Sequence, residues 1–140
     1  MKTLLATLAL AALPLAAQAQ PIVYHTNDPA MAAAMGHVIG LNAQHLGAAS
    51  ARPGAHVVQN GSGNAAGIGQ GGSNNRGVIV QQGCNNTSTV VQGGTNLNAG
   101  VFQFSCGGDV HVSQAGANQA TVVIDWGPGG RRTNPLAGRR

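Results

Sequence analysis

The chain has 140 residues, with three acidic and seven basic side chains, so charged residues are only 7% of it and aromatics 3%. Gly, Asn and Gln together make up 45 of the 140. That composition excludes an ordinary core of large apolar side chains and an extended, charge-solvated chain. With three Asp and no Glu it also disfavours acid–base enzymes. A repeat architecture remains, in which polar amides are buried because they pair with one another along an axis.

Residues 1–19 read as an export signal. Lys2 is the positive start, Leu4 to Leu15 is apolar, and Ala17-Gln18-Ala19 is a small-x-small cleavage site. Cleavage is expected after Ala19, leaving Gln20 first; the alternative is an uncleaved anchor. The apolar run is shorter than the ~20 residues of a membrane span, and no second one follows, so no transmembrane segment is expected. The processed chain would be a single secreted domain of net charge +3, in a compartment that permits disulfides.

Residues 20–54 form an extension ahead of the repeats, with a helix expected at 28–45. Asp28 suits the N-cap, Pro29 the first turn, and Gly47 a stop. Met31, Met35, Val38 and Ile39 share one broad side. This helix either packs on an apolar face of the repeats or serves as a flexible leader in export.

From about residue 55 the chain repeats every eleven residues. Gln stands at 59, 70, 81, 92, 103 and 114, and Asp125 takes the next place. Two residues before lie Val57, Ile68, Ile79, Val90, Val101, Val112 and Val123. Two residues after lie Gly61, Gly72, Gly83, Gly94 and Gly116, with Ser105 breaking the row; five after lie Asn64, Asn75 and Asn86. Each unit therefore holds an alternating piece of about five residues, read as a strand, and a Gly/Asn piece, read as a turn. Two units make a coil of 22 residues. Coils stacked ~4.8 Å apart would align the Val/Ile column into an apolar seam and the Gln column into an amide ladder. The ladder supplies the partners that a buried amide otherwise lacks. The expected fold is all-β: a short two-sheet β-solenoid over 55–127, with a helical or irregular N-terminal extension.

The stretch Gln59-Asn60-Gly61-Ser62-Gly63-Asn64-Ala65-Ala66-Gly67-Ile68-Gly69-Gln70 resembles the repeat of curlin, the subunit of bacterial curli fibres, and the likeness spans roughly residues 55–126. The next two units differ only at the Ala place, with Gly77 and Ser88 there; later units keep Gln and the β-branched column but lose Asn or Ala. The resemblance implies a secreted, self-assembling amyloid subunit of adhesive biofilm matrix. It implies no catalysis and no cofactor. Its implied partners are further copies of itself, a second curlin subunit, and a curli-type outer-membrane pore with accessory proteins. The chain differs from typical curlins in having fewer coils, a pair of cysteines, and an Ala- and Met-rich segment before the repeats. Degenerate late repeats and an Arg-rich tail resemble a minor nucleator, whereas the regular early repeats resemble a major subunit.

Cys84 and Cys106 are 22 apart, at the same turn position of successive coils. Stacked coils would put their Cα atoms ~4.8 Å apart, within disulfide range. They are read as a coil-to-coil disulfide, the alternative being two free thiols in a turn ladder. Outward positions on the first sheet are Val58, Val78, Val80, Phe102, Val122 and Ile124, an apolar face that needs a cover. The second sheet is outwardly Gly67, Gly69, Thr89, Val91, His111 and Ser113.

Residues 128–140 read as a basic disordered tail, whose Arg131, Arg132, Arg139 and Arg140 form either a solubilising end or a handle for an anionic surface. Asp125, Trp126 and Pro128 look like a cap. The glycines of Gly67–Gly72 fit a dinucleotide-binding pattern but belong to the repeat. His25, His37, His45, His56 and His111 have no metal-ligand spacing, so no metal site is expected. The alternative function is a monomeric secreted solenoid that binds glycan or ice. An ice face would want aligned threonines, and Thr89 and Thr121, taken as outward, do not align.

Overall fold

A computed structural model describes residues 22–45, 53–126 and the backbone of Arg132–Thr133. The export signal, Gly47, Arg131, Arg139 and Arg140 lie outside the described residues. Strand β1 (Ile22–Thr26) is followed by helix α1 (Pro29–His45) and then by the repeats: β2 (Gly54–Ser62), β3 (Ala65–Ser73), β4 (Arg76–Cys84), β5 (Thr87–Gln103), β6 (Asp109–Asp125) and β7 (Arg132–Thr133).

The chain is a β-solenoid of about three coils. Every repeat-to-repeat pairing is parallel and steps by 22 residues: β2 on β4, β3 on β5, β4 on β5, and β5 on β6. The first face carries residues 54–62, 76–84, 98–103 and 120–125, and the second carries 65–73, 87–95 and 109–117. The strands are longer than the five-residue pieces expected. β2, β3 and β4 have nine residues each, and β5 and β6 have 17 because each runs through a turn from one face to the other.

The turns need left-handed backbone. Gly61, Gly72, Gly83, Gly94 and Gly116 all have positive φ, as the Gly row implies, and so do Asn74, Asn85, Asn96 and Asn118. Asn is the residue other than Gly that enters this region most readily. Asn64, Asn75 and Asn86, by contrast, act through their side chains. The Asn75 Oδ1 accepts from the Leu97 amide at 3.1 Å, and its Nδ2 donates to the Gly71 and Gly94 carbonyls at 2.9 and 3.1 Å. Asn86 repeats the bracket, accepting from the Gly108 amide and donating to the Ser105 carbonyl. Each of these residues ties one coil to the next at a turn, where no strand ladder does so.

Between the two faces lies a single apolar column. Ile79, Val90, Ala99, Val101, Val110, Val112 and Val123 are fully buried in it, with Ala66 and Ile68 packed against them. Val57, expected in the same column, is 46% exposed, because no described coil lies beyond β2.

The cysteines are bridged: Cys84 and Cys106 form a disulfide with their Cα atoms 4.4 Å apart, and the Gly107 amide donates to the Cys84 carbonyl beside it. The closed loop of 22 residues restricts the unfolded chain by about 3 kcal/mol. Cys84→Ser with Cys106→Ser is therefore expected to lower the guanidinium unfolding free energy by that amount and leave the β circular dichroism unchanged.

Two parts of the structure depart from what the sequence predicts. Part of the tail read as disordered forms β7, where Arg132 and Thr133 pair with Asp109 and Val110. The edge of β6 has open backbone groups there, and extended chain satisfies them. β1, inside the extension, is a strand with no counterpart in the sequence reading; it pairs antiparallel with β6, Ile22 opposite Ile124 and Thr26 opposite Ala120.

Candidate functional site

The ladder, the open first coil and the covered last coil are the features from which a function must be built. On the first face, the Gln59 Nε2 donates to the Gln81 Oε1 at 2.8 Å, and the Gln81 Nε2 to the Gln103 Oε1 at 3.0 Å. On the second face, Gln70 donates to Gln92 and Gln92 to Gln114, both at 2.8 Å. The Gln81, Gln92 and Gln114 amides also bond across the coil. The Gln81 Nε2 reaches the Ala65 carbonyl at 3.0 Å and the Ser88 Oγ at 3.1 Å; the Gln114 Nε2 reaches the Asn98 carbonyl and the Thr121 Oγ1. Gln81, Gln92, Gln103 and Gln114 are buried and Gln59 and Gln70 exposed, so the structure joins all six but leaves the first of each row at the surface. These bonds offset the roughly 1–3 kcal/mol that an unpaired buried amide costs at Gln81, Gln92 and Gln114, whereas the buried Gln103 Nε2 has no hydrogen-bond partner among the described residues. Thr121, read as outward, is buried and belongs to this inner network.

A second ladder runs along a turn, and the eleven-residue row does not reveal it. The Asn74 Nδ2 donates to the Asn96 Oδ1 at 2.6 Å, and the Asn96 Nδ2 to the Asn118 Oδ1 at 3.1 Å. Its signal in the sequence is Asn at 22-residue spacing, with Asn85 in the matching place of the other turn. That signal is masked by Asn75 and Asn86, which fit the eleven-residue row and stand next to it.

α1 covers the apolar outer face. Ile39 packs with Val78, Val80 and Phe102, flanked by Val58, Val122 and Ile124. The Met31 amide donates to the Asp28 Oδ1 at 2.9 Å, which is the N-cap bond. The buried stripe of the helix, however, is Ala32, Gly36, Ile39 and Gly40, while Met31 and Val38 of the side read as apolar are 47% and 55% exposed. Small residues win because the helix backbone lies close to the sheet. A Cβ at Gly36 would stand 2.8 Å from the Asn98 Nδ2 and closer still to its Oδ1. The Arg76 guanidinium donates from Nη1 to the Gly36 carbonyl, and burial lowers its pKa from the ordinary value, though it remains a cation at neutral pH. Gly36→Leu is expected to lift α1 off Val78, Val80 and Phe102, read as a rise in fluorescence of a hydrophobic dye with the β signal retained.

Two hollows flank the helix. One, of about 480 Å³, is polar and lined by Asn74, Asn96, Asn118, Arg76 and His37 among others; the second, of about 270 Å³, is apolar and lined chiefly by Ile39, Phe102, Val122 and Trp126. Among the described residues, no group of three or more His, Cys, Asp or Glu could hold a metal ion, and no helix is long and apolar enough to cross a membrane.

These features define a short, laddered β-solenoid with one bare coil face and one covered one. The chain matches no protein-family model, no curated protein and no solved structure.

Proposed function

We propose that the chain is a secreted structural subunit of a curli-like extracellular amyloid fibre, used in adhesion and biofilm matrix and assembled by templated stacking of solenoid ends. The observation that supports this most is the bare edge of the first coil. Among the described residues, β2 pairs only with β4 and β3 only with β5, so each has a row of backbone groups facing outward along the solenoid axis. At that edge stand an exposed Gln59 and Gln70, each ladder's first member, and the half-exposed Val57 of the apolar column. An incoming strand there meets the same columns that join the coils within the chain, so the interface between chains repeats the interface within one.

The partners that go with this reading are further copies of the chain, a second curlin subunit, and the export pore and accessory proteins of a curli system. Arg131, Arg132, Arg139 and Arg140 supply positive charge for an anionic surface. No residue is assigned a catalytic role. The test is thioflavin-T fluorescence after residues 20–140 are diluted from denaturant, with electron micrographs of the end point. A lag, a sigmoidal rise and thin fibres support the reading, and a flat trace removes it. Seeding of a regular curlin subunit at low molar ratio separates nucleator from major subunit.

A specific observation favours a second reading, a monomeric solenoid that binds glycan: the last coil is covered by β1 and the outer face by α1. Retention as a β-rich monomer in concentrated solution would select it.

A further inference from the structure

Among the described residues, β1 is the one strand that pairs antiparallel. All repeat pairings are parallel and step by 22, whereas β1 runs antiparallel along the Ala120–Ile124 edge of β6. That edge is where the 22-residue step would place a fifth strand of the first face. β1 also imitates the missing coil. Val23 stands opposite Val123, extending the apolar column by one member, and His25 stands opposite Thr121, with its Nδ1 and the Thr121 Oγ1 sharing a 2.8 Å hydrogen bond. At the other end of the solenoid, β2 pairs only with β4 among the described residues.

We propose that β1 is an intramolecular plug, and that the β6 edge it occupies is an acceptor site for the first repeat strand, β2, of a second copy of this chain. This rests on the fibre reading and deepens it, since it names the segment of the partner that docks and what regulates docking.

The register identifies the occupant. Residues 54, 76, 98 and 120 form one column on the first face. Continuing it by one coil brings a partner's Gly54 to Ala120, its Val57 to Val123, its Val58 to Ile124 and its Gln59 to Asp125. Val57 meets Val123 as it meets Ile79 within its own chain, and Val58 joins the apolar outer face as it does beside Val80. Thus β2 brings six residues, Gly54 to Gln59, in parallel register with Ala120 to Asp125, against the five of β1.

The plug is also held lightly. Ile22, Val23 and Tyr24 remain 52%, 40% and 48% exposed while paired. Its advantage is that it is tethered: Asn27 and Asp28 join it to α1, which packs on the solenoid, so its effective concentration is in the millimolar range. At low chain concentration the plug therefore wins and the chain stays single. At a fibre tip, or at high concentration, β2 of another chain displaces it.

The experiment compares the wild-type chain with Val23→Pro/Tyr24→Pro, which removes neighbouring backbone donors from β1 and leaves the coils untouched. The probe is a synthetic peptide of residues 53–75 with an N-terminal fluorophore, titrated by anisotropy at chain concentrations below those giving fibres. The double variant, checked for retained β circular dichroism, is expected to bind the peptide at least about tenfold more tightly than wild type, the tethered competitor having been removed. Equal binding by the two proteins, or binding by neither, overturns the plug. Should the double variant not fold, His25→Ala, which removes only the bond to Thr121, replaces it; tighter binding than wild type is expected, and no change overturns the proposal. Fibres from the wild type without peptide binding would retain the fibre reading and discard the plug. Peptide binding without fibres would do the reverse.

Discussion

Gly94→Ala is expected to cost at least about 3 kcal/mol of unfolding free energy, while Gly93→Ala, one residue earlier, stays within about 0.5 kcal/mol of wild type. The two glycines are adjacent in sequence and alike in composition terms, but their surroundings differ. Gly94 has φ +148°, and a Cβ there would stand 2.8 Å from the Gly116 carbonyl carbon and nearer still to its oxygen. That oxygen belongs to the backbone of the next coil, one step along the stack, so relief requires the coils to part. Parting them breaks the parallel ladder of β5 on β6, in which Gly94 pairs with Gly116. Gly93 has nothing within 4 Å of its virtual Cβ. Guanidinium unfolding of the two variants measures the contrast; equal effects would mean that the coils are not stacked as described.

Gln81→Met is expected to destabilise the fold by about 2–4 kcal/mol, although the side chains are similar in size. Gln81 is fully buried and lies at the centre of the first-face ladder. Its removal strands the Gln59 Nε2 on one side, and takes a donor from the Gln103 Oε1, the Ser88 Oγ and the Ala65 carbonyl on the other. Methionine fills the space and satisfies none of these groups. Gln59→Met, at the exposed start of the same row, is the internal comparison and should cost under about 1 kcal/mol, because water can reach what it leaves behind. Denaturant midpoints of the two variants provide the readout. A similar midpoint for Gln81→Met and wild type would show that the amide ladder contributes nothing to stability.

Gly94 and Gln81 both occupy positions that the eleven-residue spacing marks on its own. A period in Gln, Gly and β-branched residues is a local property, since it states what one unit contributes to the same place in the next. The parallel stack, the 22-residue step, the inner column from Ile79 to Val123 and the pairing of Cys84 with Cys106 all follow from repeating that one interface. Asn75 and Asn86 are visible as members of the row, but their use as brackets is not, because it depends on how far apart two turns stand. The positive φ of Asn74 and Asn96 is likewise hidden beside the more regular Asn row.

The extension is the opposite case. Residues 22–45 carry no repeat; packing of the helix on the apolar outer face is one of two readings open to them and is the one found, with Ile39 against Val78, Val80 and Phe102. A helix over 28–45 follows from Asp28, Pro29 and the stop at Gly47, but its buried stripe does not. Ala32, Gly36 and Ile39 face the sheet instead of Met31 and Val38, because close approach to Asn98 and Phe102 rewards small side chains over large apolar ones. The five residues of β1 have a β-branched start that suits a strand, yet the partner is about 100 positions away, and an antiparallel match to Ala120–Ile124 has no signature in spacing.

The sequence by itself determined the solenoid, its period and its glutamine ladders, because a repeated interface is written once per unit and read many times. Only the tertiary structure decided that, among the described residues, one end of the stack is left open and the other occupied, for the ends are the places where the repeat stops and the chain meets segments that do not share its pattern.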